Sequence, residues 1–185
     1  ISPIGKEGNH LRLTLEQRGT SLQAVMFGIW PESFPLEEGE FADVAAALSV
    51  NTFNGTQKPQ VRILSIRPHG FDMAGKLKLS AAYQGLRRGE EPEDPALLTF
   101  DRDDLSVVYR WLRGHSPWKK GTDQLAHRLG SSSNYGKVLA ALDILCELGL
   151  ISRKIQQGME TIQLLPAAAK AELNASPTYQ IFQRK

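Results

Sequence analysis

The chain changes its hydrophobic period partway along. In "HLRLTL", Leu11, Leu13 and Leu15 alternate with His10, Arg12 and Thr14, the two-residue period of a strand with one buried face. The alternation directs His10, Arg12 and Thr14 outward. A turn at Gly19-Thr20 leads into a second run, "SLQAVMFG". "PLEEGEFADVAAALSV" fits a turn and a further strand, although Ala45, Ala46 and Ala47 also suit a helix. Asn54-Gly55 is a strong hairpin signal because both residues tolerate positive φ. Asn51 and Gly55 read as turn formers, with Phe53 on the projecting loop. Beyond it Val61, Ile63 and Ile66 lie among Gln60, Arg62, Ser65 and Arg67, close to half-buried alternation. About five short strands with Gly-rich turns predict an OB-type five-stranded β-barrel over residues 1–70, with a small SH3-like barrel as the rival.

Between residues 71 and 100 the pattern dissolves. "RRGEEPEDP" concentrates charge, Gly and Pro and reads as a linker or loop; "GKLKLSAAYQGL" before it suits a short strand and turn. From Asp101 a helical period takes over. Asp101 and Asp104 fit a capping arrangement ahead of a stripe of Leu105, Val108, Tyr109 and Leu112. Thr122 is expected to cap a short helix, "DQLAHRLG", and Ser131 to Ser133 a longer one with the stripe Val138, Leu142, Leu145 and Leu148. Gly149 closes that helix, and "LISRKIQQGMETIQLL" reads as two strands about Gln157-Gly158. Three helices and a hairpin in this order predict a winged helix-turn-helix over residues 101–185, its tail docked by Tyr179 and Phe182. The expected fold class is α+β in two domains.

Composition narrows the function classes. At 41% apolar and 23% charged the chain has an ordinary globular balance, and its apolar runs are too short to span a bilayer. No signal-peptide pattern opens it. The first residue is Ile1, within a strand pattern, which reads as a piece of a longer protein. Cys146 is the one cysteine, so no internal disulfide framework is expected. Net charge is +2, unevenly spread: residues 1–70 hold six Lys/Arg against seven Asp/Glu, and residues 101–185 twelve against eight. The basic excess permits nucleic-acid contact without arguing for it. His10, His69, His115 and His127 lack metal-ligand spacing. Asp101, Asp103 and Asp104 suit a helix start, where carboxylates meet the positive end of the dipole. Ser131 to Ser133 have no nucleophile-elbow context, and no Gly-rich phosphate loop occurs. Neither a catalytic residue nor a metal site is expected in this chain.

Two blocks carry a family resemblance. Gly8, His10-Leu11, Phe27-Gly28, Asn51, Phe53, Gly55, Gln60 and Ile63 resemble the OB domain that follows the catalytic core of RecJ, the bacterial single-strand-specific DNA exonuclease. "LTFDRDDLSVVYRWLR" through "KVLAALDILCELGLI" is similar to the additional C-terminal region of the longer RecJ proteins of Gram-positive bacteria. Together they cover nearly the whole chain. The resemblance implies a parent that degrades single-stranded DNA from the 5′ end in recombination and repair, in the bacterial cytoplasm. Its Asp-His-His motifs would hold manganese or magnesium. No Asp-His-His triplet occurs here, so no cofactor and no catalytic residue carries over. What remains is a non-catalytic part that binds and orients single-stranded DNA for the nuclease core.

OB domains bind single strands by stacking bases on aromatics while a positive groove follows the backbone. The candidate contacts are Lys6 in the first loop, His10, Arg12 and Thr14 on the outward face, Phe53 on the hairpin, and Arg62. Phe53 has capping of the barrel end as a competing role. In the second domain the candidates are Lys119 and Lys120 before the short helix and Arg153 and Lys154 in the wing, with Asn134, Tyr135 and Lys137 at the start of the third helix. The expected partners are single-stranded DNA, the nuclease core and other repair proteins, with no membrane. Two alternatives stay open: a protein-docking module of a repair complex, and a winged-helix transcription regulator that would bind duplex DNA.

Overall fold

The computed structural model describes residues 1–53, 55–156, 159–166 and 170–183, with the backbone alone at 51–53, 56 and 58. Asn54 and Gln157-Gly158, the expected turn residues, lie outside the described residues, as does the side chain of Phe53. The chain divides into two compact units, Ile1–Phe71 and Asp72–Lys185.

The first unit is a five-stranded sheet: β1 (Ser2–Ile4), β2 (His10–Gln17), β3 (Thr20–Phe27), β4 (Ala42–Phe53) and β5 (Thr56–Pro68). Its spatial order is β1-β2-β3-β5-β4. All pairs are antiparallel except β3 with β5, which run parallel where Ala24, Val25 and Met26 meet Val61, Arg62 and Ile63. The expected five strands are present as one sheet, and among the described residues β1 and β4 are its outer strands. The three residues of β1 are taken up by pairing with β2. Leu11, Leu13, Ala24, Val61 and Ile63 form the buried face, covered by Phe34 and Leu36 from the segment between β3 and β4. Ala45 to Ala47, ambiguous by propensity, are strand because each pairs with β5. The break in alternation between Ile63 and Ile66 also has a cause. Ser65 faces Ala45 and Ile63 faces Ala46, so Leu64 is an extra bulged residue.

The second unit holds α1 (Met73–Arg87), α2 (Arg102–His115), α3 (Gly121–Leu129), α4 (Tyr135–Glu147), the hairpin β6 (Ile151–Gln156) and β7 (Met159–Leu164), and α5 (Pro177–Gln183). The expected linker over residues 71–100 is corrected by α1. Asp72 caps it, accepting from the Gly75 N–H at 2.8 Å, and Tyr83 is buried in the second core with Ala82 and Leu86 packed against it. The alternating "KLKL" and the interior glycines disguised this helix; burial against α4 overrides that local preference. Two expected caps are also corrected. Asn134, not Ser131 to Ser133, caps α4 by accepting from Lys137 N–H at 2.9 Å. Thr122 does not cap α3: Glu160 of β7 reaches that helix start and accepts from the Thr122 N–H at 2.9 Å. The Asp101–Asp104 capping box is present with both reciprocal bonds. Phe182 is buried against Phe100 at 5.0 Å, which docks the tail.

Helix α4 is the centre of this unit. Val138, Ala140, Ala141, Leu142, Ile144 and Leu145 are all buried, and α1, α2, α3, α5 and β6 pack around it. Gly136 lets Leu98, from the short helical turn Pro95–Leu98, pack close, since a Cβ there would lie 2.6 Å from Leu98 Cδ2 and push that side chain aside.

Candidate nucleic-acid interface

Strand parity collects the first unit's candidates on one face. Residues directly opposite in neighbouring strands share a side of the sheet. His10 therefore lies beside Phe27, Arg12 beside Val25, and Thr14 beside Gln23 on β2 and β3, while Val25 in turn faces Arg62 of β5. Arg12 and Arg62 are both exposed and flank the half-buried Val25, one strand away on either side. Two strand spacings put their backbones about 10 Å apart. Thr14 Oγ1 accepts from Gln23 Nε2 at 2.8 Å, which leaves its own proton available.

At one end of this row the site has an aromatic that the outward-facing candidates omitted. Phe27 is 52% exposed. The His10 ring meets it edge-on at 5.1 Å, and His10 Nδ1 accepts from the Gly28 N–H at 3.0 Å. An accepting Nδ1 puts the imidazole proton on Nε2. His10 thus braces Phe27 from the side and leaves a ring face open. The signal was in the parity: with Leu22, Ala24 and Met26 inward, Phe27 must point outward. The Gly5–Gly8 turn closes against the same imidazole. Gly5 has φ +86°, and a Cβ on it would sit 3.2 Å from His10 Cδ2. Lys6, exposed on that turn, is thereby held at the His10 end of the row.

The family model of the RecJ OB domain matches residues 1–65, the stretch that carries this face. Residues 1–65 are similar to the RecJ OB domain. No curated protein and no solved structure matches the chain.

Beyond residues 1–65, the second unit's candidates are placed differently. Arg153 is engaged on several sides: Nη2 and Nε donate to Glu160 Oε1 at 2.7 and 3.0 Å, and Nη1 to Asp143 Oδ1 at 3.1 Å. Burial lowers its affinity for the proton, but the paired carboxylates outweigh this and raise the guanidinium pKa. Lys154 is exposed on β6, while Lys119 and Lys120 are half-buried before α3. The start of α4 is turned inward. Tyr135 donates to Asp123 Oδ1 at 2.9 Å, Lys137 Nζ to Asp104 Oδ1 at 2.8 Å, and Asn134 Nδ2 to the Leu97 carbonyl at 2.8 Å.

Cys146 is half-buried, and burial pushes its thiol pKa up. Among the described residues no group of three His, Cys, Asp or Glu side chains is arranged to hold a metal ion. No described helix is long and apolar enough to cross a membrane.

Proposed function

We propose that the RecJ OB domain binds single-stranded DNA across the Arg12–Val25–Arg62 row, with Phe27 stacking a base and Lys6, His10 and Thr14 flanking it. The observation that carries this reading is one face that joins two exposed guanidinium groups to an exposed, braced aromatic. Guanidinium groups hold phosphates, and an aromatic face takes any base, which is the chemistry of sequence-tolerant single-strand binding. Phe53, on the β4–β5 hairpin, closes over the strand in this reading. The chain then holds and orients single-stranded DNA for a RecJ-type 5′–3′ exonuclease core, in recombination and repair in the bacterial cytoplasm. Manganese or magnesium belongs to that core.

In the same proposal residues 1–70 form the OB domain and residues 101–185 a winged helix, joined through the 71–100 segment. The order α2, α3, α4, β6, β7 supports the winged-helix reading. So does the isolated antiparallel bridge of Trp118 to Ile162, which ties the segment before α3 to the hairpin. A second reading concerns this unit's role. The polar groups at the start of α4 are bonded internally, and α1 packs on the same helix. That favours docking to a protein of the repair machinery over duplex reading by α4, with Lys119, Lys120 and Lys154 left as auxiliary phosphate contacts.

The test is fluorescence anisotropy of a labelled single strand at two salt concentrations, against a matched duplex and an Arg12→Ala/Phe27→Ala double variant. Salt-sensitive binding that prefers the single strand and weakens in the variant supports the reading. Equal affinity of variant and wild type removes it.

A further inference from the structure

The outward face of the first sheet continues past Arg62. Opposite residues share a side, and β4 carries no extra residue, so Ala47, Ala45 and Asp43 all stand on the side of Arg62. Arg67 pairs with Asp43 and joins them there; without Leu64 as the bulged residue of β5 it would stand on the core side. One pair further on, the His69 N–H donates to the Phe41 carbonyl at 2.9 Å, which extends the same register to Phe41 and His69. Burial agrees with this parity. Ala42 and Ile66 pack on the core, whereas Phe41 is 83% exposed, more than any other large apolar side chain among the described residues.

The charged groups beside Phe41 are held in place. Asp43 accepts from His69 Nδ1 at 2.8 Å and from Arg67 Nε at 3.2 Å. Neither Nη group of Arg67 takes part, so the guanidinium is fixed by one edge and keeps a second for a phosphate. We infer that Phe41 is a second base-stacking platform, and that the strand runs from Phe27 across Arg62 and past Arg67 to reach it; this rests on the single-strand reading above. Asp43 is a positioning residue, which fixes Arg67 and His69 beside the strand and touches no phosphate itself. Met26 is level with Ile63 and so with Ala46, which sets Phe27 level with Ala45, four residues from Phe41 along β4 and two strands across. That separation is about 16 Å between backbones. Neighbouring bases, about 3.4 Å apart along a helical strand, cannot fill both platforms, so the nucleotides between them lie over Arg62 and Arg67. An apolar protein partner on Phe41 would leave the Nη groups of Arg67 without an acceptor, which is why the occupant is a base flanked by phosphates.

The test is anisotropy of labelled oligothymidylates of increasing length, titrated with the 185-residue chain. Wild-type affinity should rise once a strand is long enough to span both platforms. Phe41→Ala should weaken those longer strands by about 5- to 150-fold and abolish the rise, and Phe41→Tyr should restore it. Asp43→Ala should also weaken long strands and flatten their salt dependence, although losing a carboxylate beside a polyanion would by itself tighten binding. Tighter binding by Asp43→Ala overturns the positioning of Arg67. A folded Phe41→Ala chain that binds long strands as wild type does overturns the second platform and leaves the Phe27 reading standing. A wild-type chain that binds no strand of any length overturns the single-strand reading itself, and the inference with it. Should Phe41→Ala not fold, Phe41→Ser must show the same loss, and wild-type affinity there overturns the platform equally.

Discussion

The Tyr83 hydroxyl donates to Asp143 Oδ2 at 2.7 Å and so fastens α1 to the middle of α4. Burial first, and the adjacent carboxylate second, hold the phenol far above its usual pKa, so it remains a donor. Arg87 Nη1 reaches the same oxygen at 3.0 Å, and Arg153 Nη1 takes Oδ1 at 3.1 Å. Asp143 is therefore the carboxylate where α1, α4 and β6 meet. Removing it in Asp143→Ala is predicted to cost about 1–3 kcal/mol, between an exposed ion pair and a buried one. Tyr83→Phe, which loses one donor of three, is predicted to cost about 1 kcal/mol. Urea unfolding of both variants checks this, and an Asp143→Ala midpoint equal to wild type refutes the fastening role.

The arginine row makes a separate prediction about salt. For single strands the logarithm of the binding constant falls with log salt by about 0.7 per phosphate contact. Arg12→Ala and Arg62→Ala should each flatten the slope by about that amount and weaken all sequences alike. Arg153→Ala should leave the slope nearly unchanged and instead lower stability, because its guanidinium is spent on Glu160 and Asp143. A slope that responds to Arg153 and not to Arg12 would reassign the interface to the second unit.

Phe27 separates stacking from charge. Phe27→Ala is predicted to lose about 1–3 kcal/mol of single-strand affinity with the salt slope intact, while Phe27→Tyr retains most of it. His10→Ala should weaken binding less than Phe27→Ala, since it removes the brace at 5.1 Å but leaves the ring. Anisotropy at fixed salt, with thermal unfolding of each variant beside it, tells a lost platform from a lost fold.

Acid should release the tail before it unfolds the unit. Glu147 accepts from Ser176 Oγ at 2.5 Å and from Thr178 Oγ1 and N–H at 2.6 and 3.0 Å, anchoring the start of α5. Burial raises its pKa, but these hydrogen bonds outweigh burial and leave it below the usual glutamate value. A depressed folded pKa means that the anchor is fully present above the ordinary glutamate range and is lost as pH falls through the folded value. Hydrogen exchange in residues 176–183 should accelerate in that acidic window, and Glu147→Gln should show the faster exchange already at neutral pH. Exchange there that ignores both pH and the substitution would remove Glu147 as the anchor.

Much of this was legible in the sequence, and what was missed has physical causes. The alternation of Leu11 and Leu13 with Arg12 and Thr14 survives intact because that strand has one wet face. The Asp101–Asp104 box is visible because capping is a local interaction. Helix α1 was hidden because its burial depends on α4, more than fifty residues further along. The cap at Thr122 failed for a similar reason, whereas the cap of α4 lies one residue past Ser133, at Asn134. Glu160 comes from β7 to serve α3, and no local pattern announces a carboxylate arriving from another element. Phe27 was within reach of parity, but its exposure follows from standing at a strand end.

The parallel contact of β3 with β5 spans only Ala24 to Met26 against Val61 to Ile63, whereas β2–β3 and β4–β5 are long neighbouring hairpins. Each hairpin closes a short loop, but their union must close one of more than thirty residues, so it forms last on the folding path. It is also a short seam, three residue pairs long. Arg12 and Val25 stand on one side of that seam and Arg62 on the other. A strand of DNA lying across all three would stitch the two hairpins together, making the ligand a late participant in the fold of its own site.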